Sequence, residues 1–158
     1  MRLVLVVVAA TLLQSPARTD FTGSWKMIAA KSASPNQTPP ITEMTFVIEQ
    51  GSDQIRLDVT AGATKPQSIT YPIVTLPKLP ADPPTADERR AYWDGNRLVL
   101  ERGGTISGQT VSSRQALTMS PDGSEMTVER VVIVQHGYTL RGTRNYATVK
   151  DVFAKAAP

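Results

Sequence analysis

The side chains of this chain that could do chemistry are few, and their spacing limits what they could do. His136 is the sole histidine; it lies in Gln135-His136-Gly137-Tyr138, a turn-like setting with no acidic residue within four positions on either side. A Ser-His-acid triad would need that histidine to leave its turn and reach inward, and no serine sits in Gly-x-Ser-x-Gly. Zinc takes three or four Cys, His or carboxylate ligands at set spacings, which one histidine and no cysteine do not supply, so no metal site is expected. A haem would have His136 alone to ligate it, and no cofactor is expected. Asp82, Asp87 and Glu88 cluster in or beside a Pro-rich stretch, where general acid–base work lacks a fixed geometry and the charges read as solvated. With so few convergent titratable groups, the sequence predicts a non-catalytic protein.

Attention therefore shifts to the elements that would enclose a ligand. Period-two alternation recurs along the chain, and no stretch after the first residues carries an apolar stripe at helical spacing. Thr22 to Ala30 reads as a first strand and Lys31 to Pro40 as an extended loop. Met44, Phe46 and Ile48 alternate with Thr45, Val47 and Glu49, Gly51-Ser52-Asp53 turns, and Ile55, Leu57 and Val59 return. Gln67 to Thr75 is a further strand, after which Pro77, Pro80, Pro83 and Pro84 forbid regular pairing. Arg89 to Trp93 and Arg97 to Glu101 flank the hairpin turn Asp94-Gly95. Gln109 to Met119 and Glu125 to Val134 flank Pro121-Asp122-Gly123-Ser124. Tyr138 to Thr143 and Asn145 to Phe153 would finish the sheet, as two short strands or one long bent one.

The fold class predicted is all-β: a single antiparallel meander of about eight or nine strands closed into an up-and-down barrel, which removes exposed edges. An open bent sheet or a two-sheet sandwich would use the same local pattern, with segment 76–84 as a crossover between sheets.

Met1-Arg2, the uncharged run Leu3 to Leu13 and the small residues of Ser15-Pro16-Ala17 have the pattern of a signal peptide cleaved after Ala17. As a helix that run would rise only about 16 Å, about half a bilayer core. The expectation is therefore a secreted or periplasmic protein with no membrane span after cleavage, and one domain over residues 18–158. Removal of residues 1–17 takes away only Arg2. The remaining charges are mixed and mostly single, which argues against a nucleic-acid groove.

Phe21-Thr22-Gly23-Ser24-Trp25-Lys26, the strand Phe46-Val47-Ile48-Glu49-Gln50, Trp93-Asp94-Gly95-Asn96-Arg97-Leu98, Ser120-Pro121-Asp122-Gly123 and the ending Val152-Phe153-Ala154-Lys155 together resemble the lipocalin and wider calycin group. The nearer likeness is to small exported lipocalin-like domains of unassigned function. A Thr-Asp-Tyr motif between the later strands is absent, as is a C-terminal helix. The resemblance implies that Trp25 plugs the closed end of the barrel under a late arginine, Arg141 or Arg144.

Such a barrel would be a monomer holding a small apolar or amphipathic molecule inside. Its candidate lining is Trp25, Met44, Phe46, Ile55, Leu57, Trp93, Leu98, Leu100, Leu117, Met119, Met126 and Val128, with Gln115, Arg141 or Arg144 orienting the ligand. The alternative is a solidly packed barrel acting as a protein-interaction or structural module of the cell envelope, through its outer face or the Pro-rich loop 76–84.

Overall fold

The computed structural model describes residues 18–84, 87–106, 108–135 and 144–157. The expected leader, His136 and the strand Tyr138 to Thr143 lie outside these. Nine strands follow in chain order: β1 (Gly23–Met27), β2 (Met44–Gln50), β3 (Gln54–Ala61), β4 (Gln67–Pro72), β5 (Arg89–Asp94), β6 (Arg97–Ile106), β7 (Gln109–Met119), β8 (Glu125–Gln135) and β9 (Arg144–Lys155). Between β1 and β2 the chain makes two single 3₁₀ turns, Ala29–Lys31 and Ser34–Asn36.

All nine belong to one sheet in the order β4-β3-β2-β1-β9-β8-β7-β6-β5. Every pair of neighbours is antiparallel, including β1 with β9, where Trp25 lies opposite Lys155. The expected meander is therefore present as a nearly closed barrel, neither a sandwich nor two sheets.

An odd strand number has a geometric consequence at the seam. Alternating directions along nine strands leaves the two edge strands, β4 and β5, pointing the same way. They touch through a single parallel bridge, Ile73 with Ala91, where the Val74 amide donates to the Ala91 carbonyl at 2.8 Å. A tight turn cannot join parallel neighbours; the chain must return along the barrel first. The Pro-rich segment between Pro72 and Arg89 is that return, a crossover between the two edges of one sheet.

The crossover is fastened to the outer face of β5–β7. Val74 and Leu76 pack on Tyr92, Val99 and Ala116, a small apolar cluster outside the barrel. Arg114 donates to the Pro80 carbonyl at 2.8 Å and to the Ala81 carbonyl at 3.4 Å, and Ser112 Oγ donates to the Pro84 carbonyl at 2.7 Å. Extended prolines cannot donate backbone bonds, so the barrel supplies donors to their carbonyls instead.

The main core fills one half of the barrel. Phe21, Trp25, Ile48, Ile55, Leu57, Tyr71, Leu98, Leu117, Met126 and Phe153 are buried there, with Phe46 stacked on Phe153 at 4.6 Å between ring centroids. The Trp25 indole N–H donates to the Phe21 carbonyl at 2.9 Å, and Phe21's own amide donates to Gln50 Oε1, so residues 18–22 cross and close this end. Gly23 is required by that closure. Its φ of +136° lies where side chains are disfavoured, and an added Cβ would stand 3.3 Å from Lys155 Cε.

Candidate functional site

The opposite half of the barrel is hollow. A cavity of about 420 Å³ lies between the inner faces of β2–β4 and β5–β8, a volume in the range of small-molecule sites, roughly 300–1,000 Å³. One wall is mainly apolar: Ile41, Met44, Phe46, Val59 and Ile69, from the β1–β2 connection and β2–β4, with Gln67 at the start of β4. Facing it, the β5–β8 wall presents Arg89, Arg102, Ser113, Gln115, Arg130 and Val132.

Register explains why the polar wall assembles. Side chains alternate across a strand, so Leu98, Leu100 and Arg102 share the inner face of β6, and Val128, Arg130 and Val132 that of β8. Arg89 pairs with Arg102 and Arg102 with Ser113, forming one cross-strand row; Leu100, Gln115 and Arg130 form the next, one step toward the closed end. Arg89 and Arg102 are exposed at the mouth, whereas Arg130 is mostly covered.

Arg130 is tied to the neighbouring strand β9. Its Nη2 donates to Asp151 Oδ2 at 3.4 Å, and Asp151, nearly fully buried, also accepts from the Ser34 amide at 2.9 Å and Ser34 Oγ at 2.6 Å. The 3₁₀ turn Ser34–Asn36 is thereby linked to the cavity wall through one carboxylate. Burial pushes the Arg130 guanidinium below its ordinary value; Asp151 opposes that shift, and the charge of Arg102 adds to it. Arg130 Nε and Gln115 Oε1 are buried in the wall with no hydrogen-bond partner among the described residues. Burial raises the Tyr71 hydroxyl above its ordinary value, and the nearby guanidiniums of Arg102 and Arg89 counter the rise.

Of the side chains expected from sequence to form the lining, Met44, Phe46 and Gln115 border the cavity. Trp25, Ile55, Leu57, Leu98, Leu100, Leu117, Met126 and Val128 pack in the filled core, with Trp93 and Met119 against it. Among the described residues the cation over Trp25 is Lys155, its Nζ 5.5 Å from the ring centroid; Arg18 lies similarly over Trp93. Arg141 lies outside the described residues; Arg144 opens β9, its side chain likewise outside them. Arg89, Arg102 and Arg130, absent from the expected lining, were signalled in the sequence by their place in the apolar alternation of β5, β6 and β8.

Among the described residues no group of three or more His, Cys, Asp or Glu side chains is arranged to hold a metal ion. In the Pro-rich segment, Pro83 and Pro84 are buried against the barrel, while Leu79 is exposed.

No family model matches the chain, and no curated protein matches it. Several solved barrel structures are distantly similar. They include the REP1-NXSQ fatty acid transporter, at 9% identity and a TM-score of 0.42 over 87% of this chain and 96% of that one. Zebrafish ileal bile acid-binding protein complexed with cholic acid aligns at 9% identity and 0.43, covering 86% and 98%. Secretory abundant heat soluble protein 4 from Ramazzottius varieornatus aligns at 10% identity and 0.44, covering 90% and 100%. At such identities and scores, none of these likenesses assigns a ligand or an activity to this chain.

Proposed function

We propose that this protein is an exported, non-catalytic binder that holds a small apolar or amphipathic molecule in the hollow half of its barrel. The observation that carries the reading is the division of the interior: one half is filled by large side chains and plugged by Trp25, while the other keeps a cavity of about 420 Å³ with an apolar wall. A packed structural barrel has no need of such a space, because interiors otherwise fill to crystal-like density. Export is supported by the charge and hydrophobic pattern of residues 1–17.

Binding would draw on apolar area removed from water, at roughly 25 cal/mol per Å². The test is to fill the cavity without touching the core. Val132→Trp places an indole into the space from β8, at a half-buried position. It should weaken binding of a neutral fluorescent probe such as N-phenyl-1-naphthylamine by about tenfold, equivalent to about 1.4 kcal/mol. The melting temperature should be nearly unchanged. Equal affinity in wild type and variant would place the probe elsewhere and sink the interior-site reading. Leu57 and Leu117 are unsuitable for this test: both are fully buried in the filled half, where enlargement would overpack the core.

A further inference from the structure

The polar wall of the cavity carries more positive charge than its own residues neutralise. Arg89 and Arg102 stand directly opposite each other on β5 and β6, both on the inner face. Like charges in directly opposed cross-strand positions repel. Nearby carboxylates are otherwise engaged: Glu88 and Glu101 pair with Arg90 and Arg114 on the outer face, and Asp151 is shared by Ser34 and Arg130. Among the described residues, Arg89 and Arg102 form no ion pair. Arg130 lies within electrostatic range of Arg102 and has a buried Nε with no acceptor among those residues.

A guanidinium fork is shaped to grip a carboxylate or phosphate through paired N–H donors. Here two forks flank the mouth and a third lies one row deeper, while the apolar wall of Phe46, Val59 and Ile69 runs inward opposite them. An occupant that matched both walls would present anionic oxygens to the first and a hydrocarbon portion to the second.

We propose that the cavity selects an anionic amphipath, its carboxylate or phosphate oxygens held between Arg89 and Arg102 at the mouth with Arg130 behind them. This rests on the reading of the barrel as a small-molecule binder. The anion would relieve the repulsion between the opposed guanidiniums.

Calorimetric titration of the purified protein with decanoate, decyl phosphate and decan-1-ol tests this, since the three share a tail and differ in the head. At low salt the better anion should bind at least about tenfold more tightly than the alcohol. Whichever of decanoate and decyl phosphate leads identifies the head group. Raising sodium chloride from about 0.05 to about 0.5 M should weaken the anions and leave the alcohol unmoved, because only the charged contact is screened. The R89Q/R102Q double variant should bring anion and alcohol to within about threefold of one another, alcohol affinity staying close to wild type. Alcohol binding as tight as either anion in the wild type overturns the head-group proposal and leaves the cavity reading standing. An anion preference that survives both substitutions overturns the assigned position. If none of the three ligands binds, the reading of the cavity as a small-molecule site fails as well. The salt and head-group comparisons need no variant, so poor folding of R89Q/R102Q would not shield the proposal.

Discussion

Two arginine clusters occupy opposite faces of the same strands, and they differ in what surrounds them. On the outer face, Glu101 is fully buried and accepts from Arg90 Nε at 2.7 Å, Arg114 Nε at 2.5 Å and the Tyr92 hydroxyl at 3.0 Å. Glu88 adds a second carboxylate to Arg90 at 3.2 Å. Two cations thus meet two anions, and the Arg114 side chain also holds the crossover. One residue along each strand, on the inner face, Arg89 and Arg102 oppose each other, with Arg130 behind; among the described residues the one ion pair of these three arginines is Arg130 with Asp151. The outer cluster is electrically complete and its removal should cost stability. The inner cluster is incomplete, and its proper measure is affinity.

The sharpest way to break this contrast is to remove one charge from each face and compare unfolding in urea. Glu101→Gln leaves Arg90 and Arg114 facing each other without their carboxylate and should cost about 3 kcal/mol, as expected when one partner of a buried ion pair is lost. Arg102→Gln removes a repulsion on the inner face and should leave stability unchanged or raise it by about 0.5 kcal/mol. Equal losses would mean that both clusters are scaffolding.

A smaller effect concerns the crossover. Arg114→Met keeps an apolar stem but loses the bonds to Glu101 and to the Pro80 and Ala81 carbonyls, for about 2 kcal/mol. Amide exchange at Val74, whose N–H is bonded to the Ala91 carbonyl where the crossover begins, should quicken while exchange in β1 and β2 holds steady. Arg89→Met, two strands away on the other face, should leave exchange in the crossover unaltered. Quickening in both variants would show the seam itself loosening, and the crossover's attachment would then not depend on Arg114.

The strands were legible in the sequence because their turns carry their own instructions. Gly95-Asn96 makes the two-residue hairpin between Asp94 and Arg97, with Gly95 at φ +59°, and Gly123 at +71° lies in the longer turn between β7 and β8. Alternation then fixed which residues face inward, and it places Arg102 beside Leu98 and Leu100 as plainly as any apolar neighbour. What alternation cannot express is height along the barrel axis. Leu57 and Phe46 share an inner face, yet one lies in the filled half and the other borders the cavity, because residues 18–22 cross and plug one end only. That crossing depends on contacts such as Phe21 with Gln50 and Trp25 with Lys155, remote in sequence. The seam was hidden for a related reason. Whether the last strand count is eight or nine decides whether the edges meet antiparallel or parallel, and so whether segment 73–88 is an ornament or an obligatory return.

Tyr92 offers the finest probe of the outer cluster. Its hydroxyl donates to Glu101 and is pushed up to about 12, first by burial and then by the negative charge of Glu101. An unfolded tyrosine titrates near 10. A folded value above the unfolded one means the contribution is intact below pH 10, and it is lost as pH rises from about 10 through about 12. Tyr92→Phe should therefore cost about 1 kcal/mol at neutral pH, from the hydrogen bond alone. The gap between wild type and variant should then shrink across the alkaline window, since only the wild type carries this ionisation. Comparing the two at each pH cancels the lysines and the other tyrosines that titrate in the same range. A gap that stayed constant to pH 12 would show that Tyr92 does not feel the Glu101 charge, and the outer cluster would lose its claim to be a single electrostatic unit.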